Sequence, residues 1–323
     1  MKLRHAADRR TLLWAFGLFP GVALAQYAVP ALAGWLLPLS MYLAYCAAIF
    51  SHNHNHCPTF VSRKANAFFS AWISFFYGYP TFAWIPTHNL NHHKYVDRAG
   101  DATITWRLTK KNHFGMAFIY FFVSSYWQSG PTKEYIAKAK AGKPELYRQI
   151  ITQYVVTFGT HVAMAVLAIA LHGWKVGSLV YLSALGLPAL FALWSIMYTN
   201  YIQHVHCDPW SKHNHSRNFV SPLNNFFVFN GGYHTVHHEH PGVHWSKYPA
   251  LHAEIASEIH PALNEASIMG YTLKAYLLGI FLPSFRTRQI GRAAYDVDGA
   301  EPQDLTTASI GEAAEVGVTA QSV

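Results

Sequence analysis

The sequence predicts an all-α integral membrane protein, with about four transmembrane helices in two hairpins, interfacial helices and a cytoplasmic, histidine-rich helical cap. Three observations carry this. Hydrophobic residues make up 51% of the chain and charged residues only 12%, alongside 10 Trp, 19 Tyr and 21 Phe, which is too apolar for a typical soluble enzyme. Four stretches have the length and apolarity of a membrane span. Most of the 21 histidines gather in clusters near where those stretches end. A mean hydropathy of only +0.09 requires a polar portion as well.

The expected spans are residues 11–29, 30–50, 150–171 and 176–199. Pro20, Pro38 and Pro188 are tolerable inside them, because neighbouring helices and waters satisfy the freed carbonyls. Only residues 26–30 separate the first pair and HGWK the second, so each pair reads as a hairpin with a short outer turn. Lys2, Arg4, Arg9 and Arg10 precede the first span, and the long segments after the second and fourth hold most other Lys and Arg. The positive-inside rule then puts both termini and the polar segments in the cytoplasm.

The basic start, apolar run and Ala23-Leu24-Ala25 also resemble a secretory signal with a cleavage site. Even with cleavage, residues 31–50 would still run inward, so the segments beyond residue 50 keep their side. Residues 65–86, 114–127 and 270–282 are aromatic-rich but short or interrupted, and read as helices in the interface. With no linker or charge block in its middle, 1–295 reads as a single domain. Residues 296–323 lack aromatics and a core pattern, which predicts a disordered tail.

Four histidine groups lie on the expected cytoplasmic side. His52 and His56 share a helix face at i, i+4, while His54 points about 200° from His52. His88 and His92 stack similarly, with His93 one step round, and His234, His237 and His238 span only about 100° of a helix. His204 and His206 follow the fourth span. Three cysteines, none in a C-x-x-C pair, leave nitrogen and oxygen as the metal ligands. Neutral imidazole is the commonest such ligand, and eight or nine converging histidines suggest two ions. Imidazole suits Zn, Cu, Fe and Ni alike, so ligand type does not choose among them. Isolated His161, His172, His252 and His260 read as packing or surface residues.

H-x-x-x-H after the second span, H-x-x-x-H-H before the third and H-x-x-H-H after the fourth resemble, as an ordered set, the membrane fatty acid desaturase and hydroxylase superfamily. Residues 11–282 fit that plan. The resemblance implies two Fe ions, a non-haem di-iron centre, held by His52, His56, His88, His92, His93, His234, His237 and His238. The segment NYIQH is similar to one in membrane alkane hydroxylases, which makes His204 rather than His206 the expected ninth ligand. Asp97 and Asp101 match acidic positions beyond the second box and are expected to orient ligand imidazoles, with a solvated or salt-bridged role as the alternative. His54 and the extra histidines at 206, 213, 215, 240 and 244 depart from the common pattern.

Aliphatic C–H bonds resist side-chain acids, bases and nucleophiles, so metal-activated O2 is the expected oxidant. The resemblance implies an O2-dependent oxidoreductase, a desaturase of a fatty acyl chain or lipid; the alternative is a hydroxylase or ketolase acting on an alkane, carotenoid or other lipid. Without a flavin or nucleotide loop, electrons must come from a separate carrier of ferredoxin, rubredoxin or cytochrome type. A net charge of +8 suits docking an acidic carrier or anionic headgroups, and no feature calls for nucleic acid. Trp72, Phe75, Phe76, Trp84, Trp194 and Tyr198 are candidates to line a substrate tunnel. A histidine-rich metal transporter is the reading from another class. Transporters place ligands at midplane, where this sequence has only His161.

Overall fold

Inside a bilayer no water satisfies the backbone, so apolar runs must close their own hydrogen bonds as helices. In the computed structural model, which describes residues 2–296, three helices are long and apolar enough to cross a membrane: Asp8–Ala28, Pro30–His56 and Pro144–His204. The first two cover the expected spans at 11–29 and 30–50; the third covers both 150–171 and 176–199. That third run is not one rod. Gly173 has φ 74° and ψ 168°, outside the helical region and accessible mainly to glycine. His161 Nδ1 lies 3.1 Å from Tyr181 Oη, whereas twenty residues of straight helix would separate them by about 30 Å. A Cβ on Gly177 would fall 2.4 Å from the Ala168 carbonyl oxygen. The chain therefore doubles back at HGWK, as the hairpin reading expects.

Strand content among the described residues is limited to Asn218–Phe219 and Asn264–Glu265, paired in parallel, and one isolated bridge between Leu3 and Phe60. The tail expected to be disordered lies outside the described residues from 297 on. The chain divides into two compact units, Met1–Trp84 with Lys138–Ile196, and Ile85–Ala137 with Met197–Val323.

In the first unit the N-terminal stretch is tied down. Arg4 N donates to Thr59 O and Val61 N to Lys2 O, both at 3.0 Å, and Arg4 Nε donates to Phe60 O. The residues resembling a secretory signal supply buried Ala15 and Phe19 to this unit, so their removal would strip it of core. The expected interfacial stretch at 65–86 forms the helix Arg63–Tyr77, which starts at Ser62, whose Oγ accepts from Ala65 N, and stops at left-handed Gly78. A Cβ on Gly78 would meet Ala189 Cβ at 2.5 Å, so glycine alone fits both the turn and the contact.

Three of the tunnel candidates have packing partners on neighbouring helices. Trp72 donates to Ala15 O at 2.7 Å and stacks on Phe16. Phe75 lies against His161, and Phe76 packs on Phe19. Isolated His161 and His172 behave as structural histidines: His161 Nε2 contacts Phe75 O at 2.9 Å, and His172 Nε2 contacts Tyr27 O at 2.7 Å.

In the second unit the apolar stretch at 114–127 extends into a helix, Phe114–Gly142, twice the expected length. Ser129-Gly130-Pro131 reads as a stop, but Thr132–Gly142 is rich in the helix formers Ala, Lys and Glu, and the helix continues through Pro131. The stretch at 270–282 lies in a short apolar helix, Ile268–Phe281, with Met269, Leu273, Leu277, Ile280 and Phe281 exposed.

Candidate metal centre

The second histidine box owes its shape to backbone geometry. Ile85–His92 is a π-helix, followed by the short α-helix His93–Tyr95. In an α-helix His93 would lie about 140° from His88. The i→i+5 bonding of a π-helix, at about 4.4 residues per turn, reduces that to about 50° and keeps His92 about 30° to the other side. All three rings thus share a face. The His88 and His93 rings are 4.6 Å apart, and those of His88 and His92 are 5.1 Å apart.

His234, His237 and His238 sit on the short helix His234–Glu239. Asn218 holds its start, accepting from Thr235 N and donating to Thr235 Oγ1, both at 2.9 Å. Before it the chain turns tightly through Phe229 and Asn230, both at positive φ. A Cβ on Gly232 would lie 2.2 Å from Phe219 O and 2.6 Å from Asn225 Oδ1, so no larger residue fits.

His204 ends the helix Leu187–His204, where carbonyls lose their intrahelical partners. A fully buried arginine takes them over: Arg217 Nη1 donates to Ile202 O and Val205 O, and Arg217 N donates to Gln203 O.

These elements bring seven of the nine expected ligands into two sets within the second unit. In one, His204 Nε2 lies 3.0 Å from His92 Nε2 and 2.9 Å from His234 Nε2, and His238 Nε2 lies 3.1 Å from His234 Nε2. One nitrogen from each of the four lies within 4.8 Å of all the others. In the other, His93 Nε2 lies 3.1 Å from His88 Nε2 and 3.0 Å from His237 Nε2. His52 and His56 belong to the first unit, on one face of the helix Ala33–His56 with rings 4.9 Å apart, and Trp84 stands 5.2 Å from His52.

Tautomers reveal what this pocket is built for. His204 Nδ1 faces the His215 carbonyl at 3.2 Å, which only accepts, so Nδ1 carries the hydrogen. His92 Nδ1 faces Asp101 Oδ2 at 2.7 Å and likewise donates. Both rings then turn bare Nε2 lone pairs toward one another. A proton can bridge one such pair, and four nitrogens around a common point could hold a cation that accepts several lone pairs at once. Burial, and then the neighbouring imidazoles His93, His234, His92 and His204, push His238 well below the ordinary histidine range and keep it neutral. The residues present fit a transition metal with nitrogen ligands.

The two acidic candidates separate. Asp101 accepts from His92 and, through Oδ1, from Thr103 N and Oγ1 at 2.7 and 2.6 Å. Burial opposes its charge, yet His92 and Thr103 hold it below the usual carboxylate range. Asp97 meets no imidazole; its oxygens accept from Thr105 N and Oγ1. Burial pushes it well above the carboxylate range, against the lowering effect of the Thr105 bonds.

Other histidines have different partners. His206 Nδ1 meets Thr287 Oγ1 and its Nε2 the Lys110 carbonyl, both at 3.0 Å. His54 is buried against Thr59, with Nδ1 2.9 Å from Oγ1. His213 lies between Glu239 and Glu258. Tyr248, whose hydroxyl is 3.1 Å from His237 Nδ1, Thr103, the His215 carbonyl and Arg217 were not legible as site residues. Each acts through a contact between separate elements that no spacing encodes.

Apolar helices of spanning length and buried clusters of imidazoles that could hold a metal ion define the class as a membrane protein with a histidine-rich pocket. The chain belongs to the fatty acid desaturase family, whose profile matches residues 9–265. Family membership makes it an oxidoreductase of the desaturase and hydroxylase type. No curated protein and no solved structure matches it.

Proposed function

We propose that the chain is an O2-dependent desaturase that introduces a double bond into a fatty acyl chain or lipid, with residues 1–295 acting as one domain. The single observation that carries the metal-centre reading is the facing of His92 and His204 through Nε2 atoms whose opposite nitrogens are both committed as donors. In this reading His92, His204, His234 and His238 hold one iron. His88, His93 and His237 hold the other, and the helical spacing of His52 and His56 makes them the remaining expected ligands. Bound there, the two irons supply the oxidant that an unactivated methylene requires.

The chain's own residues do the rest. Asp101 fixes the donor tautomer of His92, the His215 carbonyl that of His204, and Thr103 locks Asp101 in place. Burial of the imidazoles keeps water from the oxidising site. The chain crosses the bilayer four times in two hairpins, the second turning at Gly173, and the histidines face the cytoplasm where a soluble carrier delivers electrons.

A hydroxylase or ketolase is the second reading, favoured by the Asn200–His204 segment NYIQH. Lipid profiling of cells with and without the chain tests both. A new double bond is expected; a new hydroxyl or keto group selects the second reading, and an unchanged profile with zinc rather than iron in the protein overturns both.

A further inference from the structure

Trp210 is 41% exposed and lies between two arginines, with Arg98 Cζ 5.3 Å and Arg292 Cζ 5.0 Å from the ring centroid. Its indole Nε1 donates to Ala293 O. Both guanidinium groups are held as well: Arg98 Nε donates to Tyr95 O at 2.6 Å and its Nη2 to Lys94 O at 3.0 Å, while Arg292 Nη2 donates to Asp296 O. Exposed Lys94 and Lys212 extend the positive surface. Four cations, Arg98, Arg292, Lys94 and Lys212, outnumber the carboxylates beside them: Asp208, which accepts from Trp210 N and Arg292 N, Asp296, which accepts from Ala293 N, and Glu258, which faces His213.

A preorganised aromatic ring between two guanidiniums has the composition of a binding hot spot, and its sign selects an acidic partner. Its position selects the kind of partner. Trp210 lies on the loop between His204 and His215, and Arg98 between His93 and Asp101. A short bonded route leads inward: Asp101 N donates to Arg98 O at 3.0 Å, and Asp101 Oδ2 contacts His92 Nδ1 at 2.7 Å. The surroundings disfavour a bilayer. Exposed large hydrophobics are sparse beside it: within residues 85–107 and 197–222 Trp210 is the one among the described residues, with Leu108 and Leu223 exposed just beyond, whereas Ile268–Phe281 exposes a run of them.

We propose that Arg98, Trp210 and Arg292 form the docking surface for an acidic one-electron carrier protein of ferredoxin type. This deepens the function proposed above and rests on it for the carrier's role. Each turnover takes two docking events. Two reduced carriers are oxidised by one electron each, and these electrons, two protons and the two hydrogens lost by the CH2–CH2 unit reduce one O2 to two H2O.

The test uses the full chain in neutral phosphatidylcholine nanodiscs and a plant-type two-iron ferredoxin as probe. Binding of the oxidised ferredoxin is expected to weaken with rising salt, and about tenfold or more in Arg292→Glu and in Trp210→Ala. Product formation driven by a small uncharged mediator, which needs no docking, is expected to be unchanged in both variants. Equal ferredoxin binding by wild type and variants overturns the proposal. So does a parallel loss of mediator-driven turnover, which would place the defect in the site, or a variant effect that appears only in phosphatidylglycerol discs, which would make the surface a headgroup binder. Specific ferredoxin binding without any mediator-driven product leaves the docking surface standing and instead removes the desaturase reading.

Discussion

His92 and His204, 112 residues apart in sequence, face one another through Nε2 atoms 3.0 Å apart, while Asp101 and the His215 carbonyl hold their Nδ1 atoms from behind. In the proposed reading, imidazoles held in this way are preorganised ligands. The first expectation is that His204→Ala removes one of two bound irons and abolishes turnover, whereas His206→Ala, whose target bonds Thr287 and Lys110, keeps both irons. Metal analysis of the two purified variants decides this, and equal iron in both would reject the ligand assignment.

Asp101 and Asp97 are expected to part company. Asp101→Asn replaces the acceptor that fixes His92 and should weaken iron binding about 10- to 100-fold. Asp97→Asn alters only the loop brace to Thr105 and should lower thermal stability while leaving the iron content unchanged. Iron titration against a competing chelator, beside a thermal melt, separates the effects.

Gly232→Ala tests the backbone approach beneath the third box. The added Cβ would sit 2.2 Å from Phe219 O, and forcing the strand and turn apart should cost about 1–3 kcal/mol. A lower melting temperature together with iron loss is expected. An unchanged melt would mean that the turn yields without cost.

Acid should destabilise the fold through a buried histidine. Burial, followed by the charges of His213, His92 and Arg98, lowers His215 from 6.5 to about 4. A histidine with a depressed folded pKa binds its proton more readily when unfolded. Its contribution is therefore intact above about pH 6.5 and lost progressively as pH falls toward 4, a loss of about 3 kcal/mol in full. Melts across that window are expected to fall in wild type and to fall less in His215→Asn.

Much of this was readable in the sequence because the signals are local. The first two helices follow apolar length, the second hairpin follows the HGWK break, and His52 with His56 follow helical spacing. His93 was legible as one step round from His92, but α-helical spacing turns it about 140° from His88, and the π-helix is what returns it to the same face. Phe114–Gly142 overran its apolar stretch because helix propensity outweighed a proline. Trp72, Phe75 and Phe76 carry no mark distinguishing packing from tunnel lining until their partners Ala15, His161 and Phe19 are in place. Arg217 and the His215 carbonyl grip the end of the helix Leu187–His204 across a loop, and no periodicity records that.

The most direct test of the central claim is metal stoichiometry of the purified full-length chain, measured with Mössbauer spectroscopy on iron-57-enriched protein. Two irons per chain in a nitrogen-rich environment are expected, falling to one in His204→Ala and in His237→Ala. Zinc in place of iron, or iron content indifferent to both substitutions, would contradict it.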